Sequence, residues 1–289
     1  MMKEEELTKE IKKAFPDLEW GEVRIADKNW DFKVVLLDDK YVFRFPRDEE
    51  TRKNLAEEIE ILKELRKSIT VEIPNYKYIA KDKSFAGYDM IKGKEAREEL
   101  VNSLSFLEKE KVVKQLANFL TELHRFPYEK LNKKPVAEGD DKKYYEKIKI
   151  KIEKLLPGKI GAKEFQDIQN FCPNFQKIYA TKLRTLIHGD LRGDNFLFAD
   201  GKIAVIDFSN LSVNDPANDF KGFWTYGCDF AEDIYAKYKG EKDDGFLERS
   251  RLHNKMSGIH VLLGSIEDEH CPFPFEEGYR LFKKIFYSC

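Results

Sequence analysis

The chain has 289 residues, of which 42% are hydrophobic and 36% charged, and a net charge of −2. That length allows one large domain or two modest ones with real cores, and that composition argues against disorder. The near-neutral charge gives no footing for a nucleic-acid binder, and no run is long enough to cross a membrane. The charged start, MMKEEELTKEIKK, lacks the apolar stretch of a secretory signal, so a cytoplasmic protein is expected. Cys172, Cys228, Cys271 and Cys289 lie far apart without a C-x-x-C pair, which implies neither a zinc site nor a disulfide framework.

In chain order, Glu4 to Phe15 reads as a short amphipathic helix stopped by Pro16. The segments EVRIA, FKVVLL and YVFRF follow as strands, the last two separated by a tight turn at Asp38-Asp39-Lys40. Leu55, Ile59, Leu62 and Leu65 set a helical stripe between Thr51 and Lys67, and IPNYKYIA and FAGYDMI supply two more strands. After Lys92-Gly93 the pattern turns helical, with a stripe from Val112 to Leu123 and a lysine-rich helix from Lys142 to Leu156. The expected fold is α+β and two-lobed. Residues 1–92 form a small antiparallel β lobe with one helix, and residues 93–289 a larger helical lobe.

One interruption of the helical lobe carries the chemistry. In LIHGDLRGDNFLFADGKIAVIDF, two apolar runs flank the turn Ala199-Asp200-Gly201-Lys202, which reads as a β-hairpin. A hairpin brings its outer ends together, so Asn195 before the first strand and Asp207 after the second converge. An amide oxygen and a carboxylate are hard ligands suited to Mg²⁺. Asp190, five residues before Asn195 on a glycine-flanked loop, overhangs the same point as a proton acceptor.

HGDLRGDN followed by VIDF resembles the catalytic and metal-binding motifs of the aminoglycoside phosphotransferase family, relatives of the protein kinases, and is nearest to its 2''-phosphotransferases. YVFRFPR at Tyr41 to Arg47 resembles that family's third strand, and DPANDF at Asp215 to Phe220 its segment after the metal site. The resemblance implies a kinase-like fold with ATP or GTP between the lobes. It also implies transfer of the γ-phosphate to a hydroxyl of a small molecule, with the protein expected to be a monomer.

The resemblance also assigns roles in the small lobe. Arg44 stands where a kinase sets its phosphate-facing lysine, and strand alternation puts it opposite Phe43 and Phe45. Glu58 on the following helix is its candidate partner. The loop IADKNWDFK contains no glycine, so it lacks a phosphate-covering G-x-G-x-x-G, and Asn29 or Asp31 is left to shape its turn. In GYDMIKG, Tyr88 is placed at the back of the base pocket, with a plain core role as the alternative. Asp89 to Ile91 offer backbone donors and acceptors. Asp219 is implied to hold the catalytic loop's backbone. His188 is read as a brace of that loop and His124 as a capping or packing residue.

For the acceptor, residues 212–289 hold fourteen Asp or Glu against ten Lys or Arg. Glu267, Asp268 and Glu269 cluster after an apolar helix, and Asp229 lies in a second acidic group. Carboxylates near the transfer site would draw a polycation, which with the resemblance favours an aminoglycoside. The alternatives are choline, homoserine, a sugar or a macrolide as acceptor, or a kinase-like module that binds nucleotide without turnover.

Overall fold

The computed structural model describes residues 4–26, 31–130, 141–179, 181, 183–268 and 270–288. Helix α1 (Glu4–Ala14) precedes strands β1 (Val23–Ala26), β2 (Phe32–Leu37) and β3 (Tyr41–Pro46). Helix α2 (Glu49–Leu65) then leads to β4 (Tyr76–Ile79) and β5 (Ala86–Asp89). These strands form one antiparallel sheet in the order β1-β2-β3-β5-β4. The β2–β3 turn runs over Asp38, Asp39 and Lys40, beyond the Leu37–Tyr41 pair, and has both Asp38 and Asp39 at positive φ, a left-handed pair that suits strand twist.

The two faces of this sheet are covered by different helices. Leu7 and Ile11 of α1 pack on Val35, Leu37 and Phe43, while Leu55 of α2 packs on Val34, Val42 and Tyr88. Helix α2 starts cleanly because the Asp48 carboxylate accepts the Thr51 amide at 2.7 Å. Its second half belongs to another core. Ile61, Leu62 and Leu65 pack with Val112, Leu116 and Leu120, so the helix is plugged into the larger lobe.

The crossing between lobes is at Gly93, whose φ of +156° and close approach to Leu197 (2.8 Å for an added Cβ) favour a residue without a side chain. The short strand β6 (Lys94–Glu95) follows, then helices α3 (Glu98–Ser103) and α4 (Phe106–His124). A capping box between Ser105 and Glu108 opens α4. Helices α5 (Asp141–Leu155), α6 (Ala162–Phe171) and α7 (Phe175–Tyr179) precede strand β7 (Thr185–Ile187). The hairpin is β8 (Phe196–Ala199) and β9 (Lys202–Val205), closed by a left-handed Asp200-Gly201 pair. Strand β10 (Ser212–Asn214) pairs with β7, and 3₁₀ turns at Pro216–Tyr226 lead into α8 (Cys228–Lys237), α9 (Phe246–Glu267) and α10 (Phe275–Phe286).

Two backbone attachments flank the hairpin. Strand β6 pairs antiparallel with β8, and on the other side the Val205 amide donates to the Glu72 carbonyl at 2.9 Å. A second helical core joins α5, α6 and α7 to α9 and α10 through Ile152, Ile168, Ile259 and Phe282. Among the described residues, no helix is long and apolar enough to cross a membrane. Cys172 and Cys271 are free, whereas Cys228 is disulfide-bonded, which the cysteine spacing did not announce.

Candidate active site

The hairpin register sets Phe196 opposite Val205, and the Ile206 amide donates to the Asn195 carbonyl at 2.9 Å, so pairing extends to the open end. Asn195 and Asp207 therefore flank one point. The chain turns sharply there, because Asp207 adopts φ of +59°, a costly conformation for a residue with a Cβ. The Asn195 Nδ2 group donates to the Asp190 carbonyl at 2.8 Å and to its carboxylate Oδ2 at 3.0 Å. Both amide hydrogens are thereby committed, and Oδ1 is the Asn195 side-chain atom left for a cation. Asp190, Asn195 and Asp207 are thus gathered as the hairpin geometry requires.

The loop bearing Asp190 is held from below. Gly189 has φ of +83°, and a Cβ there would come within 2.4 Å of the Asn210 carbonyl oxygen. The Asp219 carboxylate accepts the His188 amide at 2.8 Å and the Gly189 amide at 2.7 Å. His124 also meets Asp219, at 3.1 Å through Nε2, while its Nδ1 lies 2.7 Å from the Tyr238 hydroxyl. His124 is a buried brace of the loop rather than a helix cap. His188 accepts the Asp190 amide at Nδ1 and donates from Nε2 to the Ile206 carbonyl, which ties loop to hairpin. The Asp215 carboxylate is held by Arg249 and His253 beneath this region, a triad that no spacing in the sequence suggested.

In the small lobe, Arg44 is 4% exposed and faces away from Phe43, as strand alternation predicts. Its Nη1 donates to both Glu58 oxygens, at 2.8 and 3.0 Å, and its Nη2 donates to Asp207 Oδ1 at 2.7 Å. Glu58 alone among the neighbouring helix glutamates is fully buried, which sets it apart from Glu57 and Glu60. The Arg44 guanidinium also lies 3.9 Å from the Phe32 ring centroid.

Electrostatics separate the two key acids. Burial raises the Asp190 pKa, an effect that Arg192 and Lys221 reduce without cancelling. Burial acts on Asp207 too, but Arg44 and the Ser209 hydroxyl outweigh it and hold that carboxyl below the usual range. One acid is thus tuned toward accepting a proton and the other toward staying charged.

A cleft of about 690 Å³ runs between the lobes, lined by Arg44, Tyr88, Met90, Ile91, Asn195 and Asp207 among others. Asp89 points elsewhere, with its carboxylate on Lys77 and Tyr78. The Met90 amide donates to the Lys40 carbonyl at 2.7 Å, so that N–H is not among the backbone groups left for a base. Arg192, which the sequence reading passed over, also lines the cleft and sits 3.3 Å from Asp190. Its place two residues after Asp190 was the available signal.

The acidic residues assigned to the acceptor are dispersed. Glu267 is paired with Lys151, and the Asp268 carboxylate accepts the His270 amide at 2.8 Å within its own turn. Asp229 lines a separate groove with Phe106, Lys109 and Glu110. Glu269 lies outside the described residues, as does Asn29. Pro272 and Phe273, just beyond this turn, do line the main cleft.

No group of three or more His, Cys, Asp or Glu suited to a metal ion occurs among the described residues. Asn195 Oδ1 and the Asp207 carboxylate are the two side-chain oxygen donors at this point that could hold an ion taking its remaining ligands from phosphates and water.

A model of the phosphotransferase enzyme family matches residues 22–252. The GDP complex of wild-type aminoglycoside 2'-phosphotransferase-IIIa is similar at TM-score 0.85, with 24% identity over 99% of both chains. The GDP and kanamycin complex of APH(2")-IIia gives TM-score 0.82, with 25% identity over 96% of this chain and 97% of that one. The streptomycin-ATP ternary complex of APH(2")-IIa gives TM-score 0.71, with 20% identity over 99% of both.

Proposed function

The chain belongs to the phosphotransferase enzyme family, and we propose that it moves the γ-phosphate of ATP or GTP to a hydroxyl of an aminoglycoside. The observation that carries the reading is the convergence of Asp190, Asn195 and Asp207 at the open end of one hairpin. The GDP, ATP, kanamycin and streptomycin complexes of similar structures support the donor and acceptor classes.

In this reading the nucleotide lies in the interlobe cleft with its base at Tyr88 and Ile91. Asn195 Oδ1 and the Asp207 carboxylate hold Mg²⁺, which when bound neutralises phosphate charge. Arg44 lines the cleft while its Nη2 meets Asp207, a placement that suits a guanidinium offered to a phosphate oxygen. Asp190 takes the proton of the acceptor hydroxyl as its oxygen attacks, and its raised pKa makes it the better base. Arg192 beside Asp190 adds positive charge where the transferred group passes.

The acceptor end of the reading rests on the similar structures more than on the acids at the end of α9, since Lys151 already neutralises Glu267. The test is a phosphate-transfer screen of aminoglycosides and small alcohols with ATP and GTP. Transfer to an aminoglycoside that disappears in Asp190→Asn is the expected result. Transfer only to another alcohol refutes the acceptor class, and nucleotide binding without any transfer refutes the reaction.

A further inference from the structure

An arginine at the third-strand position poses a problem that a lysine does not. A guanidinium is planar, so its donors reach two partners only if the plane is fixed. Arg44 must meet Glu58 on one side and Asp207 on the other. Three contacts on Nη1 and its neighbours answer this. One Nη1 hydrogen goes to Glu58, and the other goes to the Tyr76 hydroxyl at 2.8 Å. The Tyr76 hydroxyl in turn donates to Glu58 Oε1 at 2.8 Å, closing a ring of three side chains.

Tyr76 reaches this ring because of a backbone irregularity. Residues two apart on a regular strand share a face. The β4–β5 register shifts between Tyr76 and Tyr78, so the two part company. Tyr78 packs on the outer cluster with Phe43 and Phe15, while Tyr76 enters the face shared with Glu58 and stacks edge-on against Tyr88 at 5.2 Å. The bulge spends one residue of strand pairing to aim a hydroxyl at Arg44.

We propose that Tyr76 is a positioning residue for phosphoryl transfer, whose hydroxyl fixes the Arg44 guanidinium plane so that Nη2 engages Asp207. Tyr76 acts through Arg44 and touches neither nucleotide nor acceptor. Its hydroxyl is the extra acceptor that an arginine needs and a lysine, with a single nitrogen, can do without. This inference rests on the reading of Arg44 and Asp207 as parts of the donor site.

The test is a double-mutant cycle of Tyr76→Phe and Arg44→Lys, with variants first matched for thermal midpoint. Tyr76→Phe is expected to lower kcat roughly tenfold with acceptor KM unchanged, and to change kcat less than about twofold in the Arg44→Lys background. An equal loss in both backgrounds, or no loss in either, overturns the proposal. A second readout does not depend on activity. In protein labelled with ¹⁵N-arginine, the Arg44 Nη signals should be distinct in the parent and averaged in Tyr76→Phe. Distinct signals in both would also overturn it. Turnover that survives Asp207→Ala would refute the donor-site reading instead, and the Nη signals would still decide the role of Tyr76.

Discussion

Replacing Asp219 by Ala should loosen the loop that carries Asp190, and the loss can be worked from its partners. Two backbone amides, of His188 and Gly189, end on this carboxylate at 2.8 and 2.7 Å, and His124 Nε2 lies at 3.1 Å. His188 and Asp219 are fully buried. Each buried donor left without an acceptor costs about 1–3 kcal/mol. Deleting the carboxylate also removes its own burial penalty, so the net loss falls near the lower half of the summed range, about 3–5 kcal/mol. That is a large share of the roughly 5–15 kcal/mol that holds a domain together. Asp219→Asn keeps one oxygen but sets an NH₂ group against donors, so it should lose less than Ala, about 2–3 kcal/mol. The assay is urea unfolding followed by circular dichroism, with nucleotide turnover measured on the same samples below the transition. Turnover should fall in both variants. A denaturant midpoint for Asp219→Ala equal to the parent's, or an Asn variant weaker than Ala, would refute the reasoning.

Asp190→Asn should bind nucleotide as the parent does and lose about 10²–10⁴-fold in turnover, measured as acceptor phosphorylation. Asp207→Ala should abolish the Mg²⁺-dependent part of nucleotide affinity, followed by titration with and without the ion. Glu267→Gln should leave acceptor KM unchanged at low and high salt, because Lys151 already holds that carboxylate. The buried Asp215 carboxyl is held at about 2 against an ordinary 3.8, since the Arg249 and His253 contacts outweigh burial. A depressed folded pKa stabilises at pH values above the unfolded one, and the gain is lost as pH falls from about 4 to about 2. The shift corresponds to about 2 kcal/mol, so Asp215→Asn should be less stable at neutral pH and show a flatter acid limb below pH 4.

Local signals in the sequence carried much of this architecture. Alternation placed Arg44 opposite Phe43, and the Asp200-Gly201 turn with its flanking apolar runs announced the hairpin. The convergence of Asn195 and Asp207 followed from antiparallel pairing alone. Other features had no local signature. Tyr76 and Tyr78 look equivalent in sequence, and only a register shift in β4 separates their faces. His124 does end α4, as read, but its bracing role was invisible because its partners Asp219 and Tyr238 lie about a hundred residues away. The acidic run after α9 suggested a substrate surface, but ion pairing across to α5 is a tertiary fact that charge counting does not see.

The segment at Glu72 and the crossing at Gly93 are both stitched to the same hairpin, one on each of its strands. Two parallel seams define a spine. A body joined along a spine opens as a book does, by rotation about that line, and resists sliding or twisting. Points close to the spine travel little when the covers part. Asn195 and Asp207 stand at the end of the stitched strands, so an opening about that line would leave them nearly fixed. On the proposed reading, a nucleotide would enter and leave without dismantling the corner proposed to hold its phosphates.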